Sequence, residues 1–183
     1  MKFHIWSTLV LSLGLLIGVQ EPEKEPVDPV TVFVLRHGET VESTDHARDP
    51  ALSKGGLKRA ANLANMLTAA DVTHIFASEY ARTQGTVSYL AKFANKEVKV
   101  ISAGKMDEQL NALRELPAGS VAVVCGHSNT VPGMVMKLGG KIKNLVEHPK
   151  YGPMLDSKEF SRLFMVTIPG VKGSTAKTVE LRY

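Results

Sequence analysis

The chain has 183 residues, 44% of them hydrophobic and 22% charged, with 15 glycines and nine prolines that follow no repeating period. That is the balance of one packed domain, and it excludes collagen-like, low-complexity and disordered chains. The formal charge of +4, or +3 without the first twenty residues, suits a pocket for a small anion and falls short of the dense basic stripe of a nucleic-acid binder.

The single cysteine, Cys125, excludes an intramolecular disulfide framework and a zinc site built on paired thiolates. Segment 1–20 reads MKFHIWSTLVLSLGLLIGVQ, a lysine followed by an uncharged apolar run over 5–19. That run is short for a bilayer-spanning helix, which needs about 20 residues, and it fits the apolar region of a signal peptide. A cut after Gln20 would put a glutamine where a small residue is expected, so an uncleaved N-terminal anchor, a membrane tether through 5–19, stays as the alternative. Either reading places the domain outside the cytoplasm, periplasmic or secreted, and one cysteine within an apolar strand suits an oxidising compartment. The acidic, proline-rich stretch over 21–29 reads as a linker, leaving 30–183 as the domain.

From Val30 the pattern alternates between strand and helix. Val30–Leu35 is a continuous β-branched and apolar run, as in a parallel strand buried on both faces. Ser53 caps a helix whose apolar side is read as Leu57, Ala60, Ala61, Ala64 and Leu67, with Lys58, Arg59, Asn62 and Asn65 outward. A strand over 72–77 and a helix over 81–95 follow, then a strand over 98–101 and a helix over 107–116. Ser120–Cys125 is the clearest buried strand, and the next helix runs from near Asn129 to the Gly139-Gly140 stop. Residues 141–160 look irregular, and two strands over 163–168 and 178–183 close the chain around a hairpin turn. Repeated β-α units predict an α/β fold, a three-layer helix–sheet–helix sandwich with a mostly parallel central sheet.

In such sheets ligands gather beyond the carboxyl ends of the strands. Arg36-His37 closes the first strand, His127 follows the SVAVVC strand, and Arg82 begins the helix after the second strand. Two imidazoles and two guanidiniums at one crevice point to phosphate. Arginine offers a planar fork of donors, the helix starts after Glu79 and Ser128 offer backbone donors, and a neutral imidazole is a nucleophile that needs no separate base. No metal or cofactor is required by this set.

Four segments then resemble, in order, the histidine phosphatase (phosphoglycerate mutase-like) superfamily. Val34-Leu-Arg-His-Gly-Glu-Thr40 looks like its RHG signature, and Leu52-Ser-Lys-Gly-Gly56 like its L-T/S-x-x-G segment. Ser78-Glu-Tyr-Ala-Arg-Thr83 looks like S-x-x-x-R-T/A, and Val124-Cys-Gly-His-Ser128 like its second-histidine segment. The last strands look like the ends of small secreted members, although such members often have RHAEK where this chain has RHGET. The resemblance implies a phosphohistidine on His37, with Arg36, Arg82 and His127 completing the phosphate pocket and binding a small phosphorylated substrate.

In many members a carboxyl protonates the leaving oxygen from between the second arginine and the second histidine. Asp107 and Glu108 occupy that interval, and Glu108 is slightly preferred. An acid at a helix start, stabilised by the free N–H groups there, is at least as good an account of either. Glu39, Asp45 and Asp49 are further candidates.

The expectation is therefore a metal-independent phosphatase. Its alternatives are a non-catalytic phosphate-binding or signalling module on the same fold, a phosphomutase, and a serine hydrolase using Ser128. The serine reading is weak. Gly126-His-Ser-Asn-Thr130 ends in Thr where the nucleophile elbow wants Gly, and only Glu147 and His148 follow as partners. His46, His74 and His148 have no partner at ligand spacing, His4 belongs to the targeting segment, and Cys125 reads as core. The loop after the first strand and residues 141–160 are expected to shape specificity.

Overall fold

The computed structural model describes residues 27–42, 48–170 and 174–183. The expected signal or anchor segment lies outside the described residues, as do Asp45, His46 and most of the linker. Among the described residues no helix is long and apolar enough to cross a membrane.

Among the described residues eight strands and four helices follow in the order β1 (Val30–Arg36), α1 (Lys54–Met66), β2 (His74–Ala77), α2 (Ala81–Ala94), β3 (Val98–Val100), α3 (Met106–Arg114), β4 (Val121–Gly126), α4 (Val131–Lys137), β5 (Val146–His148), β6 (Gly152–Met154), β7 (Arg162–Ile168) and β8 (Lys177–Arg182). Six strands form the main sheet in the order β3-β2-β4-β1-β7-β8, and β5 pairs with β6 in a separate two-stranded sheet. The pairs β3·β2, β2·β4 and β4·β1 are parallel, while β7 runs antiparallel to β1 and β8 antiparallel to β7. The sheet is thus mostly parallel with helices on both faces, as the alternating pattern predicts.

The central strands alternate their side chains between two cores. Val32, Val34, Phe76, Ala122 and Val124 pack with Leu110 and Leu113 of α3 and Met134 and Val135 of α4. Phe33, Leu35, Ile75, Val123 and Cys125 pack with Leu63 of α1 and Val87 and Leu90 of α2. Both faces of β1 and β4 are therefore dry, which is why their sequences are continuously apolar. Cys125 sits in that second core as expected.

Local signals place most element ends. The Ser53 side chain accepts a hydrogen bond from the Gly56 N–H and starts α1, although Gly55 and Gly56 lie in its first turn. Asn95 ends α2 in the left-handed region at φ 52°. The apolar side of α1 differs from the expected one. Leu63 is fully buried and Leu57 is exposed, because Gly56 rather than Leu57 meets the loop after β1. The helix expected from Asn129 begins only at Val131, since Thr130 and Val131 turn back onto the His127 carbonyl. Residues 141–160 are not wholly irregular. They contain the β5–β6 hairpin, in which Val146, Glu147 and His148 pair with Met154, Pro153 and Gly152.

One close approach explains two glycines of the recognised segments. A Cβ on Gly56 would stand 2.1 Å from the Glu39 carbonyl oxygen, and one on Gly38 would stand 3.1 Å from the Gly56 Cα. The loop leaving β1 and the start of α1 touch backbone to backbone, so neither position has room for a side chain.

Candidate active site

Strand register brings the site together. Leu35 pairs with Cys125 in β4, and Cys125 pairs with Ala77 in β2, so three parallel strands end at one level. The next pairing is Arg36 with Gly126, and the His37 N–H donates to the Gly126 carbonyl at 3.0 Å. His37 and His127 consequently leave adjacent strands side by side. Their ring centroids are 5.4 Å apart at 65°, and each residue is only 8% exposed.

Both rings line an open pocket of about 460 Å³ together with Tyr80, Arg82, Ser128 and Asn129, and with Tyr151 and Met154 from the β5–β6 hairpin. The hairpin thus brings part of 141–160 to the pocket wall. The described part of the loop after β1 contributes Asp49 beside the pocket rather than a lining side chain.

The hydrogen bonds assign the protons. His37 Nδ1 lies 2.8 Å from the Gly38 carbonyl, which can only accept, so Nδ1 carries the hydrogen and Nε2 keeps its lone pair. The Gly38 N–H donates to the Thr86 hydroxyl at 2.9 Å, and that hydroxyl donates to the Arg82 carbonyl at 2.8 Å. Helix α2 therefore holds the loop that carries His37. His127 Nε2 lies 2.9 Å from the Ser78 hydroxyl, and the His127 N–H donates to the Thr130 hydroxyl at 2.8 Å.

Burial, with the positive charges of Arg36 and Arg82 as a smaller cause, lowers the pKa of both histidines from 6.5 to about 4. For His127 the charges of Glu79 and Asp49 act in the opposite direction. Both rings are neutral near neutral pH, which leaves His37 Nε2 as a free nucleophile.

The two arginines are held differently. Arg82 stacks over the Tyr80 ring at 4.2 Å, and its Nη1 donates to Asp49 Oδ1 and to the Arg48 carbonyl, both at 3.2 Å. Its guanidinium lines the pocket. Arg36 donates from Nη1 to the carbonyls of Asp156, Ser157 and Glu159 at 2.9–3.0 Å and stacks on Phe160 at 4.0 Å. It does not line the pocket, but its charge is felt at both imidazoles. Burial lowers the Arg36 pKa, and Asp156, Glu39 and Glu159 oppose that shift. Arg36 Nε is fully buried and has no hydrogen-bond partner, alone in this among side-chain polar atoms of the described residues.

The expected acid is misplaced. Glu108 is exposed on α3, pairs with Lys105 at 3.0 Å, and borders a different depression beside His74, Phe76 and Lys99. Asp107 points to solvent and reaches Lys137 at 3.3 Å. Both stand in the first turn of a helix, where the orphan N–H groups favour acids, so their position follows from helix chemistry. Glu39 gives both oxygens to Arg59, which holds its pKa below the usual range. Asp49 gives one oxygen to Arg82 and the other to the Ala81 N–H, so the first free N–H of α2 is already occupied. Among the described residues no carboxylate lines the pocket. No group of three or more His, Cys, Asp or Glu among the described residues could hold a metal ion. His148 stacks on Tyr151, and no imidazole bonds to Ser128.

Sequence reasoning passed over Tyr80, Tyr151 and Met154 as site residues. Tyr80 was signalled by its place inside the Ser78–Thr83 segment. Tyr151 and Met154 had only a Pro-Lys-Tyr-Gly turn to announce the hairpin that carries them.

A model of the histidine phosphatase superfamily (branch 1) matches residues 32–120. No characterised protein matches the chain in a sequence search. Among solved structures, the protein histidine phosphatase SixA complexed with tungstate is 17% identical, with a TM-score of 0.63 over 83% of this chain and 96% of that one. A mycobacterial glucosyl-3-phosphoglycerate phosphatase is 14% identical, with a TM-score of 0.54 over 84% and 97%. A phosphoglycerate mutase from Plasmodium falciparum is 13% identical, with a TM-score of 0.53 over 85% and 91%. At such identities the likeness establishes the phosphoglycerate mutase-like fold. The matched stretch contains the RHG, L-S-x-x-G and S-x-x-x-R-T segments in order, and over it the chain is similar to the histidine phosphatase superfamily.

Proposed function

We propose that the protein is a metal-independent phosphatase that hydrolyses phosphomonoesters through a phosphohistidine on His37. The observation that carries this reading is the neutral His37 ring, with Nδ1 tied to the Gly38 carbonyl and Nε2 free, beside His127 in a pocket that also holds Arg82. In the first step the Nε2 lone pair attacks phosphorus in line, the P–O ester bond breaks, and the departing oxygen takes a proton from solvent. In the second step water attacks the same phosphorus, the N–P bond breaks, a proton returns to solvent, and inorganic phosphate leaves with the lone pair restored.

Phosphoryl transfer of this kind needs positioning and charge more than covalent chemistry. Arg82 supplies a guanidinium at the pocket wall, fixed by Tyr80 and Asp49. Arg36 supplies buried positive charge that acts on both imidazoles from behind the pocket wall. The tungstate bound by SixA, a tetrahedral oxyanion on the same fold, agrees with a phosphate-sized anion here. Export through segment 1–20 is part of the same proposal. Fractionation tests it by finding the chain, cleaved or full-length, outside the cytoplasmic fraction, and a cytoplasmic chain would remove it.

The test of the activity is turnover of p-nitrophenyl phosphate by the full chain with and without EDTA, alongside His37→Ala. The expected result is EDTA-insensitive turnover, an acid-labile and base-stable phosphoenzyme, and loss of both in His37→Ala. Undiminished turnover by that variant would remove the mechanism, and phosphate binding without turnover would favour the non-catalytic module.

A further inference from the structure

We infer that Ser78 and Thr83 are positioning residues that hold the proton of His127 on Nε2, so that the pocket presents a bare Nδ1 and takes up a phosphate together with one proton. The inference deepens the phosphatase reading and rests on it for its functional meaning. It concerns the state in which the anion is bound, which that reading leaves open.

The hydroxyl hydrogens set the direction of these bonds. Thr83 Oγ1 lies 2.7 Å from the Tyr80 carbonyl and 3.0 Å from the Ser78 carbonyl. Carbonyl oxygens only accept, and approach this close without a hydrogen between would set lone pair against lone pair. The single Thr83 hydrogen is therefore committed to backbone oxygen. Ser78 Oγ lies 2.9 Å from Thr83 Oγ1, so in that bond Ser78 must donate. Having spent its only hydrogen, Ser78 can only accept from His127 Nε2, also at 2.9 Å. Ser78 is 1% exposed and Thr83 is sealed, so water does not offer either hydroxyl another partner. The relay runs one way, from His127 Nε2–H to Ser78 to Thr83 to the carbonyls at the start of α2.

The two histidines therefore carry their protons on opposite nitrogens. His37 is Nδ1–H and His127 is Nε2–H, and neither remaining nitrogen takes a hydrogen bond from the described residues. A neutral His127 with a bare Nδ1 repels a phosphate dianion, and it welcomes a monoanion or a dianion joined by a proton. The proton then bridges Nδ1 and a phosphate oxygen. The groups around His127 are His37 at 5.4 Å and Tyr80 at 5.1 Å between ring centroids, together with the charges of Arg82, Glu79, Arg36 and Asp49. Burial first and the guanidiniums second keep the empty ring neutral, and a bound anion would offset the guanidiniums and favour a second proton on the ring.

Two measurements on the full chain test this. Nitrogen-15 NMR of the histidine rings in the free protein at neutral pH is expected to find the His127 hydrogen on Nε2. Calorimetry of inorganic phosphate binding at about pH 8, in buffers of different ionisation heat, is expected to find uptake of about one proton per site. Thr83→Val, which removes the acceptor of the Ser78 hydrogen, lets Ser78 donate to the ring and should bring uptake below about half a proton, while Thr83→Ser should restore it.

A His127 hydrogen on Nδ1, or uptake near zero in the unaltered protein, would overturn the inference even if a phosphoenzyme forms on His37. The assigned tautomer and full proton uptake without any phosphoenzyme would instead sink the phosphatase reading and leave the relay standing. The unaltered protein decides the matter if Thr83→Val does not fold.

Discussion

Burying two neutral imidazoles makes folding sensitive to mild acid. Both pKa values fall to about 4 from 6.5, chiefly through burial, so the unfolded chain binds more protons than the native one as the pH drops. This contribution to stability is present above 6.5 and is lost as the pH falls toward 4. Linkage gives a loss of about 2 kcal/mol for each histidine between pH 7 and pH 5, or about 3–4 kcal/mol for the pair. The lowered carboxylates Glu39, Glu159 and Glu180 also lose stability on acidification, but most of their effect falls below about pH 5. Urea unfolding at the two pH values, for the unaltered chain and for His37→Gln/His127→Gln, isolates the histidine contribution. The double variant is expected to lose only about 1 kcal/mol over the same interval. Equal losses in the two proteins would refute the assignment of neutral, buried rings.

Two further outcomes follow from placement. Gly56→Ala sets a Cβ 2.1 Å from the Glu39 carbonyl, backbone against backbone, and should cost about 3 kcal/mol in thermal or urea unfolding. Gly55→Ala meets nothing closer than the Ser53 hydroxyl at 3.5 Å and should be neutral or slightly stabilising, so similar losses at the two positions would contradict the close approach. Glu108→Gln should leave turnover of alkyl and nitrophenyl phosphates within about twofold, whereas loss of a catalytic acid costs about a hundredfold or more on poor leaving groups. A large drop confined to alkyl phosphates would restore Glu108 to the site.

Most of the strands, the parallel sheet and the crevice at the strand ends were legible along the chain. Burial on both faces demands continuous apolar runs, and helices announce themselves by Ser53 at one end and Asn95 or Gly139 at another. His37, His127 and Arg82 could be named because strand ends are local and the sheet topology follows from alternation. The proton donor was not legible. Glu108 has the right interval in sequence, but the direction of a helix's first turn depends on how that helix packs, and α3 turns this carboxylate away from the imidazoles. The β5–β6 hairpin was missed because three-residue strands carrying Pro153 and two charged or polar positions show no periodicity to read.

The sequence by itself determined which residues stand at strand ends and which faces must be dry, while the need for glycine at Gly38 and Gly56 emerged only from the backbone contact between the loop after β1 and α1. Only the tertiary structure decided which nitrogen of each imidazole carries its hydrogen. That choice is made by carbonyls and hydroxyls from different elements, Gly38 for one ring and the Ser78–Thr83 pair for the other. It also decided that Arg36 faces three carbonyls while Arg82 lines the pocket. The physical reason is one of range. Backbone pattern and burial are set by neighbours along the chain, whereas a proton's position is set by acceptors 2.7–3.0 Å away that only folding brings there.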